Sequence, residues 1–117
     1  MHAMPLVHVF PSREPEHPVA LMRALSRAVA EATGKDERWV MVRVAAAAPA
    51  LFGGSDAPCC YVELKSIGTL GEEGAARLSA ALCGIVAEHL HVSPDRTYVE
   101  LTDAEPDMWG WNGGTFA

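Results

Sequence analysis

The sequence is short of positive charge. Nine lysines and arginines stand against fifteen aspartates and glutamates, a formal net charge of -6 over 117 residues. With no basic run to offset that balance, nucleic acid is not expected as a partner. No apolar segment is long enough to span a bilayer, so no membrane partner is expected either. The first residues lack both a basic n-region and a long apolar stretch, which argues against a secretory signal and makes the cytoplasm the default location. Three cysteines, two of them adjacent, are too few for a disulfide framework. Five histidines form no metal pattern: His89 and His91 lie two apart at a helix end and do not share a face. No metal or other cofactor is expected.

What remains is an ordinary soluble composition, 50% hydrophobic and 21% charged, enough for one domain over residues 1–117 with a real but small core. The first strand reads Leu6 to Phe10, opened by Met4-Pro5. A proline-rich turn follows, and Pro18 suits the first turn of a helix. Leu21, Leu25, Ala28, Val29 and Ala32 recur at helical spacing, and Gly34 supplies the C-cap. Trp39 to Val44 reads as a second strand. Residues 45–55 are a loop with a tight turn at Phe52-Gly53-Gly54. Tyr61 to Lys65 is a third strand, ending at Ser66-Ile67-Gly68. Glu72 and Glu73 mark the start of a second helix, whose stripe is Leu78, Leu82, Ile85, Val86 and Leu90. Cys83, in the middle of that helix, reads as a small core residue. After the Ser93-Pro94 break comes a fourth strand, Thr97 to Leu101, and then a short tail.

The order strand-helix-strand occurs twice, and the halves share residues. Ala24-Leu25 matches Ala81-Leu82, Val29-Ala30-Glu31 matches Val86-Ala87-Glu88, and Asp36-Glu37-Arg38 lies against Pro94-Asp95-Arg96. The expected fold is α+β: two βαβ repeats sharing one four-stranded mixed sheet, with both helices on one face. The other face would stay bare. Val7 and Val9 lie on one face of the first strand and Leu6, His8 and Phe10 on the other, with little polar character on either, so a symmetric oligomer is expected.

Pro5 has two readings. In one it simply opens a strand, where its missing N–H costs nothing. In the other it becomes the chain terminus, a secondary amine whose pKa burial and a nearby cation would lower, giving a base for proton transfer next to a carbonyl.

Met4-Pro5, Ala32-Thr33-Gly34-Lys35, Phe52-Gly53-Gly54-Ser55, Lys65-Ser66-Ile67-Gly68, Ser93-Pro94-Asp95-Arg96 and Gly110-Trp111-Asn112 through Thr115-Phe116-Ala117 occur in order and at near-matching spacing. In these the chain resembles the macrophage migration inhibitory factor family of the tautomerase superfamily, over almost its whole length. The resemblance implies a homotrimer with active sites at subunit interfaces. It also implies cofactor-independent keto–enol tautomerisation of phenylpyruvate-like or dopachrome-like substrates, small enolisable carboxylates or aromatics. Pro5 matches the catalytic base and Lys35 the lysine that holds the substrate carboxylate. Ile67 matches a pocket residue, Tyr98 an aromatic from the neighbouring subunit, and Trp111 and Phe116 the tail aromatics that wall the site. The alternative is a cytokine-like binding protein that engages a receptor, with a vestigial pocket and export without a signal peptide.

Three positions depart from the family pattern. Glu100 stands where mammalian members have asparagine, and Trp109 where a smaller aliphatic residue is expected. Cys59-Cys60-Tyr61-Val62 replaces a Cys-x-x-Cys stretch, which makes family-type thiol chemistry unexpected. Adjacent strand residues point to opposite faces, so a Cys59–Cys60 disulfide would be strained. The residues before Pro5 form an extension or initiator segment. Removal of an initiator methionine requires a small second residue, which Met4-Pro5 satisfies and Met1-His2 does not; the expectation is that the chain starts at Met4 or that the extension is otherwise removed.

Overall fold

The computed structural model describes residues 4–68 and 70–117. Most of the expected extension, residues 1–3, lies outside the described residues. Strand β1, Leu6–Pro11, alternates half-buried and buried positions, with Val7 and Val9 turned inward and fully buried. Helix α1, Pro18–Thr33, begins with proline in its first turn and buries Leu21, Leu25 and Val29 one turn apart. Each fully buried side chain of this size contributes about 1.5–3 kcal/mol. The helix ends where Gly34 turns left-handed (φ 68°) and the Gly34 and Lys35 amides donate to the Glu31 and Ala30 carbonyls.

A 3₁₀ turn, Glu37–Trp39, capped by the Asp36 side chain, leads into β2, Met41–Val44. Strand β3 is Cys60–Ile67, helix α2 is Gly71–Leu90, and a second 3₁₀ turn, Pro94–Arg96, leads into β4, Thr97–Ala104. The sheet order is β2-β1-β3-β4. Strand β1 runs parallel to β2 and antiparallel to β3, and β3 runs parallel to β4. The expected pair of βαβ units in one mixed sheet is therefore present. Both helices pack on one face, over a core that joins Val7, Val9, Val62 and Leu64 to the α1 and α2 stripes.

Several sequence expectations are corrected. Trp39 belongs to the 3₁₀ turn and not to a strand, because the Trp39 amide donates to the Asp36 carbonyl. Strand β4 runs three residues beyond Leu101, since Ser66 and Ile67 of β3 still pair with Asp103 and Ala104. Cys83 is only half-buried: it lies one residue, about 100°, around the helix from buried Leu82. The tail is not plain coil. A 3₁₀ turn at Pro106–Met108 precedes a two-stranded hairpin, β5 (Gly110–Trp111) with β6 (Gly114–Thr115). Its turn, Asn112-Gly113, has positive φ at both positions (51° and 82°), the requirement of a two-residue hairpin that asparagine and glycine meet most readily.

The open sheet face also differs from expectation. Leu6 and Phe10 of β1 are apolar there, but His8 and the charged residues of the neighbouring strands make it mixed. In register across the sheet, Arg43, His8, Glu63 and Glu100 form one row, and Phe10, Tyr61 and Tyr98 the next.

Candidate active site

Pro5 is fully buried, and its carbonyl accepts from the Met41 amide at 3.0 Å, which ties the start of β1 to β2. It lines a cavity of about 330 Å³ with Met4, Arg38, Trp39, Trp109 and Trp111 among the walls. All three tryptophans of the chain therefore border the cavity of Pro5. Trp39 meets Trp111 edge to face, ring centroids 5.0 Å apart, and Trp111 stacks on Phe116 at 6.0 Å. The tail is held there by its backbone, the Phe116 amide donating to the Pro106 carbonyl at 3.1 Å. Phe116 thus supports the wall through Trp111, which is half exposed.

Lys35 and Ile67 share a different cavity, about 260 Å³, bounded also by Ser66 and Arg77. The side chain that brings positive charge to the cavity of Pro5 is Arg38. Its guanidinium lies over the Trp39 ring, 4.9 Å from carbon to centroid, and its Nε is 3.6 Å from Asp36 Oδ2. Arg38 and Trp39, which also line this cavity, were not singled out from the sequence. The signal was present in their position, just past the helix cap and three or four residues beyond Lys35.

Tyr98 lies at the other end of the sheet. It stands in register with Tyr61 and Phe10, five residues along β1 from Pro5, roughly 16 Å at the usual strand rise. It is 67% exposed, touches the Phe52 ring at 5.0 Å and borders a third cavity with Cys59 and Cys60. Glu100 is exposed and already engaged: it accepts from the Tyr61 hydroxyl at 3.0 Å and from Thr102 Oγ1 at 3.2 Å. Tyr61 is also 3.0 Å from Glu63. Burial first, and then these two carboxylates, push the Tyr61 phenol up to about 12. One chain therefore gathers Pro5, Trp109, Trp111 and, behind them, Phe116. It leaves Tyr98 at the other end of the sheet and Glu100 between the two, in register with Glu63 and His8.

The cysteines are free. Burial, and secondarily the Cys59 thiol beside it, push the Cys60 thiol up to about 12, far from a reactive thiolate. No group of three or more potential metal ligands occurs among the described residues. Nor, among them, is any helix long and apolar enough to cross a membrane.

Comparison with known proteins fits this geometry. The sequence model of the family described as Macrophage migration inhibitory factor (MIF) matches residues 4–117. The chain belongs to the MIF family. It is 37% identical to macrophage migration inhibitory factor of Mus musculus over 100 residues, 86% of this chain and 87% of that protein. It is 35% identical to the Brugia malayi homologue over 97 residues, covering 83% and 84% of the two chains. The crystal structure of the MIF homologue from Prochlorococcus marinus superposes with a TM-score of 0.91 at 35% identity, covering 96% of this chain and 99% of that one. The MIF match begins at Met4, immediately before the buried proline.

Proposed function

We propose that this MIF-family protein is a cofactor-independent keto–enol tautomerase that uses Pro5, once it is the chain terminus, as its general base. The observation that carries the reading is the position of Pro5: fully buried, in a cavity walled by tryptophans and bearing one guanidinium. A secondary amine there would lose hydration and face a cation, and both favour its neutral, basic form. It would take the proton from the carbon next to the substrate carbonyl and return it to oxygen or carbon. The tryptophan walls would keep water from the enolate. Phenylpyruvate-like and dopachrome-like compounds are the proposed substrate class.

Met4 bears on this directly. It is buried and lines the same cavity, so its removal would both free the amine and enlarge the space in front of it. A chain that retains Met4 has an amide nitrogen at Pro5 and no base. That chemistry favours a second reading for the untrimmed form, a cytokine-like protein that acts by binding a receptor.

We further propose a homotrimer in which Tyr98 and Glu100 of one subunit complete the site of the next. Two features support it. The sheet has an uncovered face, and exposed apolar side chains border its opposite ends: Tyr98 of β4 and Leu51 of the preceding loop line one cavity, Met41 of β2 and Trp111 of the tail hairpin the other. Such unlike ends suit head-to-tail association that closes into a ring.

The test is to express chains beginning at Met1 and at Met4, confirm each terminus by intact mass, and assay phenylpyruvate tautomerisation. The trimmed protein should be active, and Pro5→Gly should lower kcat/KM by about 10²–10⁴-fold. Equal activity from a chain shown to retain Met1 would eliminate Pro5 as the base. Sedimentation at micromolar concentration should give a trimer; a monomer near 12.5 kDa would remove the interface site.

A further inference from the structure

Arg96 holds a positive charge in place without a negative one. It ends the 3₁₀ turn before β4, and its guanidinium donates to four backbone carbonyls, Nε to Pro58 and the terminal nitrogens to Phe52, Ser55 and Ala57, all at 3.0–3.2 Å. Among the described residues it makes no ion pair. Four N–H groups of one planar fork thus converge on a single loop, a task that a lysine ammonium, with three donors on one nitrogen, cannot match. Phe52 and Ser55 close that loop with reciprocal backbone hydrogen bonds. The side chain the loop presents is Phe52, whose ring centroid lies 5.2 Å from the guanidinium carbon. Phe52 in turn touches Tyr98, with ring centroids 5.0 Å apart and planes inclined at 59°. Tyr98 follows Thr97, which is buried with its hydroxyl donating to the Ser93 carbonyl at 3.2 Å. Tyr98 itself is 67% exposed, and among the described residues its hydroxyl makes no hydrogen bond. The contact with Phe52 is therefore what orders its ring. An exposed side chain that must be ordered during association weakens binding by roughly 2–12-fold, and ordering it in advance removes that loss.

We infer that Arg96 is a positioning residue for the site of the next subunit: through the 52–58 loop it fixes Phe52, and Phe52 fixes the ring that Tyr98 offers across the junction. The inference rests on the trimer proposed above, in which Tyr98 of one subunit completes the site of its neighbour. Arg96 touches no substrate and acts through two rings. An arginine with a merely structural role would cost stability in its own subunit and leave the neighbour's affinity for substrate unchanged.

The chain has two tyrosines, so 3-fluorotyrosine labelling gives two fluorine resonances, and Tyr61→Phe identifies the one from Tyr98. Two variants of the trimmed protein are compared with the parent, Arg96→Lys and Phe52→Leu. The second removes the ring but keeps the backbone carbonyl that Arg96 uses, so it tests the same link if Arg96→Lys does not fold. Each should move the Tyr98 resonance at least halfway towards that of free 3-fluorotyrosine and leave the Tyr61 resonance in place. With phenylpyruvate, each should raise KM three- to tenfold while kcat stays within twofold. Co-expression with Pro5→Gly subunits, which keep the arginine and lack the base, should bring back the parental KM at the sites they border. A Tyr98 resonance unmoved in the folded variants overturns the inference. So does a KM within twofold of the parent's, or a raised KM that co-expression leaves as it is, for then Arg96 serves its own subunit. Sedimentation of the parent as a monomer removes the junction and the inference with it. A parent trimer without turnover ends the tautomerase reading alone, and the fluorine spectra then decide the inference.

Discussion

The turns that carry Arg38 and Arg96 occupy matching places in the two repeats, yet their arginines are held differently. Around Arg96, four carbonyls of the 52–58 loop converge on one guanidinium, which also lies 5.2 Å from the Phe52 ring. The Phe52–Ser55 turn is closed by reciprocal backbone hydrogen bonds of 3.0 and 3.1 Å. This end is fixed from within, and Tyr98 rests on it through Phe52. Around Arg38 there is no such convergence among the described residues: the guanidinium lies 4.9 Å from the Trp39 ring and 3.6 Å from an Asp36 carboxylate oxygen, at the surface. The lesson is that a repeated element can be made rigid in one copy and left available in the other. The difference lies in whether backbone carbonyls are brought to the arginine.

The contrast is broken most strongly at Arg96. Arg96→Ala should cost about 2–3 kcal/mol, since it removes several charge-assisted hydrogen bonds whose acceptors can partly turn to water. Urea unfolding at fixed protein concentration measures this, and Arg96→Lys should restore less than half. A smaller effect is expected from alkali, and it falls on the sheet that joins the two ends. Cys60 and Tyr61 both have pKa values raised to about 12, from 9.0 and 10.0. A group raised on folding contributes stability fully below its unfolded pKa and loses it as pH climbs towards the folded value. Stability should therefore hold to about pH 9 and fall between there and pH 12. A Cys60→Ser, Tyr61→Phe double variant should show a shallower decline in thermal melts. Smaller still, Glu100→Gln should stabilise by a few tenths of a kcal/mol, because Glu63 and Glu100 face each other in register with like charge. Least of all, Arg38→Ala should shift the urea midpoint by no more than about 0.5 kcal/mol equivalent. That last result, set beside the Arg96 loss, is the sharpest form of the comparison.

Much of the fold could be read from the residues because local rules and tertiary packing agree. The leucine and valine spacing of α1 survives intact as its buried stripe, and Gly34 is left-handed as a C-cap should be. The Phe52-Gly53-Gly54 turn is where glycine was expected to be needed, with φ of 62° and 79°. The site was legible only in pieces. Pro5, Trp109, Trp111 and Phe116 could be picked out, but Trp39 looked like a strand residue because aromatic and β-branched neighbours favour strands whatever the backbone does. Arg38 was visible only as part of the repeat, since its surroundings depend on which cavity the 3₁₀ turn delivers it to. Arg96 was visible as part of a motif, but four carbonyl partners from a loop some forty residues away leave no periodic trace.

The gathering of every indole at one end gives the molecule a built-in local reporter. Its tryptophan emission speaks only for the Pro5 cavity and the tail hairpin, whereas far-ultraviolet dichroism speaks for two helices at the centre of the core. Were the tail to detach before the core gives way, the two signals would part company during denaturation, and the gap between their midpoints would be the free energy of opening that cavity alone. The residues that wall the cavity are themselves the reporter, so its opening can be watched without labelling it.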